Sequence, residues 1–120
     1  MQRTPSDISK FLNQKVWAVI GVSENHSKFG YKIYIQLKNK GYSVYAVNPR
    51  LNSIQGAPCV PTLSALAIKP DAINVVVPSQ ITEQIIQECI DLGIKRVWMQ
   101  PGSESTKAIS NGESHRVADL

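Results

Sequence analysis

A chain of 120 residues with a formal net charge of +4 and 42% hydrophobic residues suits one domain with a real core and leaves no length for two. Its lysines and arginines are spread along the chain and form no run, so nucleic acid is not implied, whereas an anionic small molecule fits. No apolar run is long enough for a membrane and the N-terminus is too polar for a secretory signal, so the expected compartment is the cytoplasm, with Cys59 and Cys89 buried and reduced.

Thr4 to Leu12 carry a helix start, with Thr4 or Ser6 as cap, Pro5 in the first turn, and Ile8, Phe11 and Leu12 on one face. A lead-in helix covering one side of a sheet is expected there. Val16 to Ile20 form an apolar, β-branched run bounded by Gly21, the pattern of a buried parallel strand. A tight loop follows, then a helical stripe from Tyr31 through Ile33, Tyr34 and Leu37, ended at Lys40-Gly41. Ser43 to Val47 read as a second strand, stopped by Asn48-Pro49.

Arg50 to Pro61 lack helical periodicity and hold Gly56, Pro58 and Pro61, so a loop and one short edge strand at Ala57 to Val60 are expected, of undecided direction. Thr62 caps a short helix through Leu63, Leu66 and Ala67. Ala72 to Val77 form an almost wholly apolar strand, which implies helices on both faces of the sheet. Pro78-Ser79 end it, and Thr82 caps an amphipathic helix with Ile85, Ile86, Cys89, Ile90 and Leu92 inward, before Gly93. Arg96 to Met99 are the next strand, Gln100-Pro101-Gly102 its terminal loop, and Ser103 or Ser105 the cap of a last helix to about Asn111. The domain is expected over 1–112, with 113–120 a loose tail.

Strands alternating with helices make an α/β, doubly wound, Rossmann-like fold: a mainly parallel sheet of about five strands with helices on both faces. Ligands in such sheets bind beyond the carboxyl ends of the strands, at the switch point. Four loops converge there: Gly21 to Tyr31, Asn48 to Leu51, Pro78 to Gln80, and Gln100 to Gly102. The first offers backbone N–H groups at a helix start, Gly21 for close approach, Ser23 or Asn25 for a side-chain bond, and Lys28 nearby. A strand–turn–helix connection with no ligand has the same pattern.

A dinucleotide site of the NAD type needs Gly-x-Gly-x-x-Gly and an acid after the second strand. This chain has Gly21-Val22-Ser23, and Arg50 follows Asn48-Pro49. A cation there suits a ribose phosphate, as in NADP or coenzyme A, unless Arg50 is only a solvated loop residue. Pro78 offers a flat apolar surface to an adenine or a pantetheine arm, or merely stops the strand.

Motifs in consistent order then resemble a known family, the small CoA-binding domain proteins related to the CoA-binding domain of succinyl-CoA synthetase alpha subunits and acyl-CoA synthetases. They are Val19-Ile20-Gly21-Val22-Ser23 with Lys28-Phe29-Gly30-Tyr31, Gly41-Tyr42-x-Val44-Tyr45-x-Val47-Asn48-Pro49, Gly56-x-Pro58-Cys59-x-Pro61-x-Leu63, and Val97-Trp98-Met99-Gln100-Pro101-Gly102-Ser103. The resemblance covers about Ile8 to Ile109. It implies a Rossmann-like fold that binds coenzyme A, the first loop on the phosphates, Asn48-Pro49-Arg50 by the adenosine, and Val77-Pro78-Ser79 lining the site with Gln100-Pro101-Gly102. Two departures are Val22 where the family often has alanine, and a C-terminal stretch without the family's further strand, which leaves an expected open edge at Val97 to Met99 that invites self-pairing, hence a possible homo-oligomer.

His26 and His115 have no carboxylate at triad or ligand spacing, and Ser23 has no visible base. A non-catalytic or regulatory binding module for coenzyme A or an acyl-CoA is therefore the favoured expectation. An NADP-binding oxidoreductase or sensor domain, and an interaction domain with a vestigial pocket, are the alternatives.

Overall fold

Val16 to Ile20 form β1, the centre of the sheet, and its residues from Trp17 onward are buried. The computed structural model describes residues 15–100, 103, 105–107, 109–110 and 118–119. After β1 come α1 (Phe29–Asn39), β2 (Ser43–Val47), β3 (Ser53–Ile54), β4 (Ala57–Val60), a 3-10 turn (Leu63–Ala65), β5 (Ala72–Val75), α2 (Ser79–Leu92), β6 (Arg96–Met99) and β7 (Ala118–Asp119). Residues 106–107 and 109–110 are also helical.

The strand order is β3-β4-β2-β1-β5-β6-β7, parallel throughout except for β3, which is antiparallel to β4. Leaving out β3, this is the doubly wound order in which the chain winds outward in both directions from a central first strand. Side chains alternate across the sheet as the strand period requires. Val19, Ala46 and Ile54 share a cluster with Tyr34 of α1, whereas Ala18, Ile20, Ile73 and Val97 meet Ile85, Ile86 and Cys89 of α2. Helices thus cover both faces, as the continuous apolar strands imply.

Several expectations need correction. The direction of β4 is settled as parallel to β2, because a hairpin reverses the chain first. Gln55 and Gly56 both have positive φ, 52° and 77°, the signature of a two-residue type I′ turn. The edge on that side is therefore β3, and β4 is internal. Beyond β6 the tail supplies β7, whose two residues pair with Arg96 and Val97, so a strand stands in 113–120 where only loose chain was expected and that edge is covered in part.

At α2, Pro78 is the N-cap residue, so the helix starts at Ser79 and Thr82 lies inside its first turn. The buried Thr82 hydroxyl turns back toward the Pro78 carbonyl, 3.5 Å away, and caps nothing. Thr62 likewise makes no capping bond, and the helix expected after it is a single 3-10 turn. Gly41, at φ 92°, closes α1: its N–H bonds to the Lys38 carbonyl and that of Tyr42 to the Leu37 carbonyl, the paired bonds of a Schellman motif. The expected lead-in helix at 4–12, and Pro101 and Gly102, lie outside the described residues.

Candidate functional site

The five long strands end level. Val60, Val47, Ile20, Val75 and Met99 are register partners across β4, β2, β1, β5 and β6, so the residues after them emerge side by side along one edge. The ladder continues one step further: Gly21 N–H donates to the Val47 carbonyl at 2.9 Å, Val76 N–H to Ile20 at 2.8 Å, Asn48 N–H to Val60 at 2.9 Å, and Gln100 N–H to Val75 at 3.0 Å. Three of the four loops expected at the site are thereby placed next to one another, together with Gln100 from the fourth.

β1 and β5 are neighbours whose helices leave to opposite faces, which makes the gap between their loops the switch point. Here the backbones touch. A side chain on Gly21 would overlap the Val76 carbonyl, and one on Gly30, at the start of α1, would overlap the Gly21 carbonyl. Both glycines are required by the close approach of protein backbone.

Two helix N-termini face this edge. Lys28 is the N-cap residue of α1 and Pro78 that of α2; neither makes a side-chain capping bond, and neither first turn carries an acid. Among the described residues the first-turn N–H groups of both helices take no cap from the N-cap side chain, and they lie at the positive ends of their helix dipoles, an arrangement that favours an anion. Lys28, the N-cap residue of α1, and Arg50, on the loop after β2, are exposed and add positive charge.

The loop after β1 is held by its own side chains. Ser23 Oγ accepts the Asn25 N–H at 3.0 Å, and Asn25 Oδ1 accepts both the Ser27 N–H at 3.0 Å and the Ser27 hydroxyl at 2.7 Å. Ser23 keeps a hydroxyl proton for a ligand, whereas the Asn25 oxygen is committed to the loop. Val22 is fully buried in the α1-side core and shapes the loop from beneath. Phe29, the first residue of α1, is 66% exposed. Tyr31 stacks on His26, with centroids 4.1 Å apart, and its hydroxyl accepts a bond from Gln55 Nε2 at 3.1 Å.

Asn48 ties the second loop to the first. Its Nδ2 donates to the Val22 carbonyl at 2.7 Å while its Oδ1 accepts the Arg50 N–H at 2.8 Å. Pro49 and Arg50 are left exposed at the tip. Val77 is half-buried, Pro78 exposed and Ser79 half-buried on the third loop. Gln100 Nε2 donates to the Asn74 Oδ1 at 3.0 Å.

Sequence reasoning missed two residues that build this edge. Ser103 is buried, 3% exposed, and its Oγ accepts the Val77 N–H at 2.9 Å, joining the β6 loop to the β5 loop. Asn74 is a buried amide in an apolar strand, and its Oδ1 accepts from Gln100. An asparagine interrupting Ile73 and Val75 was the available signal. Cys59 and Cys89 are both free and buried. Burial pushes the Cys89 thiol up to about 12, with Glu88 adding to the shift, and burial raises Cys59 as well. Among the described residues no group of three His, Cys, Asp or Glu is placed to hold a metal, and no helix is long and apolar enough to cross a membrane.

A family model described as a CoA binding domain matches residues 15–120. The chain is 34% identical over 88 residues to the alpha subunit of an ADP-forming acetate–CoA ligase II from Pyrococcus furiosus, covering 72% of this chain and 19% of that protein. It is 39% identical over 75 residues to the ADP-forming acetate–CoA ligase I of Archaeoglobus fulgidus, covering 62% of this chain and 11% of that one. The match therefore spans less than a fifth of the length of either enzyme. A conserved hypothetical protein from Pyrococcus furiosus superposes with a TM-score of 0.83 at 33% identity, covering 88% of this chain and 90% of that one.

Proposed function

Since the chain belongs to the CoA-binding domain family, we propose that it is a binding module for coenzyme A or an acyl-CoA, with no catalytic centre of its own. The observation that carries the reading is the pair of acid-free helix N-termini of α1 and α2 flanking the switch point, neither capped by its N-cap side chain, with Lys28 and Arg50 exposed on the loops after β1 and β2. The diphosphate lies across the loop from Gly21 to Gly30, where backbone N–H groups and the helix dipole meet its charge. Arg50 takes the ribose phosphate and Lys28 a diphosphate oxygen. The pantetheine arm runs over Val77 and Pro78 toward Gln100.

The absence of a catalytic role rests on chemistry. His26 stacks on Tyr31, and Ser23 accepts a bond from the loop backbone, so neither is paired with a base or acid in the described geometry. In the long acetate–CoA ligases to which the chain is similar, the matched stretch is a small part, which fits a module that holds the coenzyme while other domains act. The cytoplasm, where coenzyme A and its thioesters are made and used, is the compartment proposed for it.

Native mass spectrometry of the purified chain tests the ligand class. A mass increment matching coenzyme A or one of its thioesters supports the reading, and an increment matching NADP contradicts it.

A further inference from the structure

The turn between β3 and β4 breaks a local rule. Gln55 holds its first central position at φ 52° and is the one non-glycine of positive φ among the described residues. A type I′ turn favours glycine there, which has no Cβ to clash, or asparagine and aspartate, whose short side chains bond locally. Gln55 has neither advantage, but its side chain finds a partner outside the hairpin. Its Nε2 donates to the Tyr31 hydroxyl at 3.1 Å, twenty-four positions away in sequence. Tyr31, in the first turn of α1, lies against the His26 ring, with centroids 4.1 Å apart and planes 12° from parallel. A line of contacts therefore runs from the hairpin tip to the middle of the loop after β1. It spans a hollow of about 200 Å³ between hairpin and loop, lined also by Glu24, Ser53 and Ile54.

We infer that Gln55 is a positioning residue for the anion-receiving loop: through the Tyr31 hydroxyl it holds the Tyr31–His26 stack, and through that stack it sets the chain from Asn25 to Lys28 against the start of α1. The loop's own bonds, Ser23 to Asn25, Asn25 to Ser27, and the Lys28 N–H to the Asn25 carbonyl at 3.0 Å, are all internal to it. They fix its shape and leave its tilt to contacts with other elements. Asn48 holds the base of the loop at Val22, and the stack holds it at His26. The hairpin is a firm support for that second hold, because Ile54, beside Gln55, is 3% exposed in the core cluster of Val19 and Tyr34, against which Tyr31 also packs. A strained residue persists where the surrounding structure over-determines it, and here the buried Ile54 and the Tyr31 bond do so. The role deepens the coenzyme reading and rests on it for the ligand, while the stack itself belongs to the ligand-free chain.

The test uses the full chain and its Gln55→Asn, Tyr31→Phe and double variants. Asparagine tolerates the left-handed backbone and is one methylene too short for Tyr31, whereas phenylalanine keeps the ring and loses the hydroxyl. The His26 ring-proton shifts and the amide exchange of residues 25–28 are read without ligand at matched pH, then the thermal midpoint, then coenzyme A affinity by calorimetry. In each single variant the His26 protons are expected to lose ring-current shift and the loop amides to exchange faster, with the Gln55→Asn midpoint no lower than wild type. Coenzyme A affinity falls about fivefold in each, and the double variant binds no more weakly than either single one, since both remove the same bond. Unaltered His26 shifts and loop exchange in both variants overturn the inference. So do affinity losses that multiply in the double variant, or a loss that only follows a fall in the midpoint, the mark of a merely structural role. A wild type that binds no coenzyme A ends the coenzyme reading, and the ligand-free spectra then decide the positioning role alone.

Discussion

The side-chain amide of Asn48 donates to the carbonyl of Val22 across 2.7 Å, so the loop that follows β2 and the loop that follows β1 are one mechanical unit. The other end of the same amide accepts the Arg50 N–H, which aims the chain that carries the cation. The loop after β1 and the backbone that carries Arg50 are thereby set at a fixed spacing before any ligand arrives. Preorganisation of this kind lowers the ordering cost of binding.

Replacing Asn48 tests that unit. Asn48→Ala leaves the Val22 carbonyl and the Arg50 N–H without their partner and is expected to lower stability by about 1–2 kcal/mol in urea unfolding. Coenzyme A affinity falls about tenfold, equivalent to about 1.4 kcal/mol. Asn48→Asp keeps the acceptor and loses the donor, so its affinity lies between the two.

The glycines separate packing from conformation. A methyl at Gly30 overlaps the Gly21 carbonyl, so Gly30→Ala forces α1 away from the loop, costs about 1–3 kcal/mol and removes coenzyme binding. Gly41 has open space around it and a φ of 92°, so Gly41→Ala costs about 1–2 kcal/mol from backbone strain and leaves affinity unchanged in the same titration. Thermal unfolding and calorimetry on the two variants check both halves.

Arg50 is exposed, and its loss is expected to leave the urea midpoint unaltered. Arg50→Gln lowers affinity for coenzyme A by about tenfold through the lost charge-assisted bond, while affinity for dephospho-coenzyme A stays where it was. An equal loss for both ligands places Arg50 on the diphosphate instead.

Alkaline pH probes the α2-side core. With the Cys89 thiol raised from 9.0 to about 12, the unfolded chain ionises first and the folded chain resists. The stabilisation is complete below pH 9 and is lost as pH rises toward 12, with a slope of up to about 1.4 kcal/mol per pH unit from this group. Cys89→Val, which keeps the site apolar, is expected to flatten stability against pH over that window. Equal slopes for both proteins contradict the burial of Cys89.

Much of this arrangement could be read from the residues, and the exceptions have physical reasons. β1, β2 and β4 were legible with their bounds because Val16–Ile20, Ser43–Val47 and Ala57–Val60 are apolar or β-branched runs closed by Gly21, Asn48-Pro49 and Pro61. β3 and β7 were not, since a two-residue strand has no periodicity to detect. Gln55-Gly56 held the missing clue to β3, a pair able to take the positive φ of a type I′ turn.

The start of α2 was misplaced because Pro78 suggested only a strand stop and Thr82 looked like a cap, although proline is also at home where a helix N–H has no partner. At the site, the convergence of the loops followed from topology alone. The contact between Gly21 and Gly30 and the tie from Ser103 to Val77 join residues nine and twenty-six positions apart, and no local pattern encodes such closeness.

The most direct measurement is a calorimetric titration of coenzyme A into the full chain, repeated with NADPH as competitor. Saturable binding at one site per chain, weakened by added salt and undisturbed by NADPH, is the expected result. Absence of heat and of any shift in melting temperature at millimolar coenzyme A, or displacement of the coenzyme by NADPH, contradicts it.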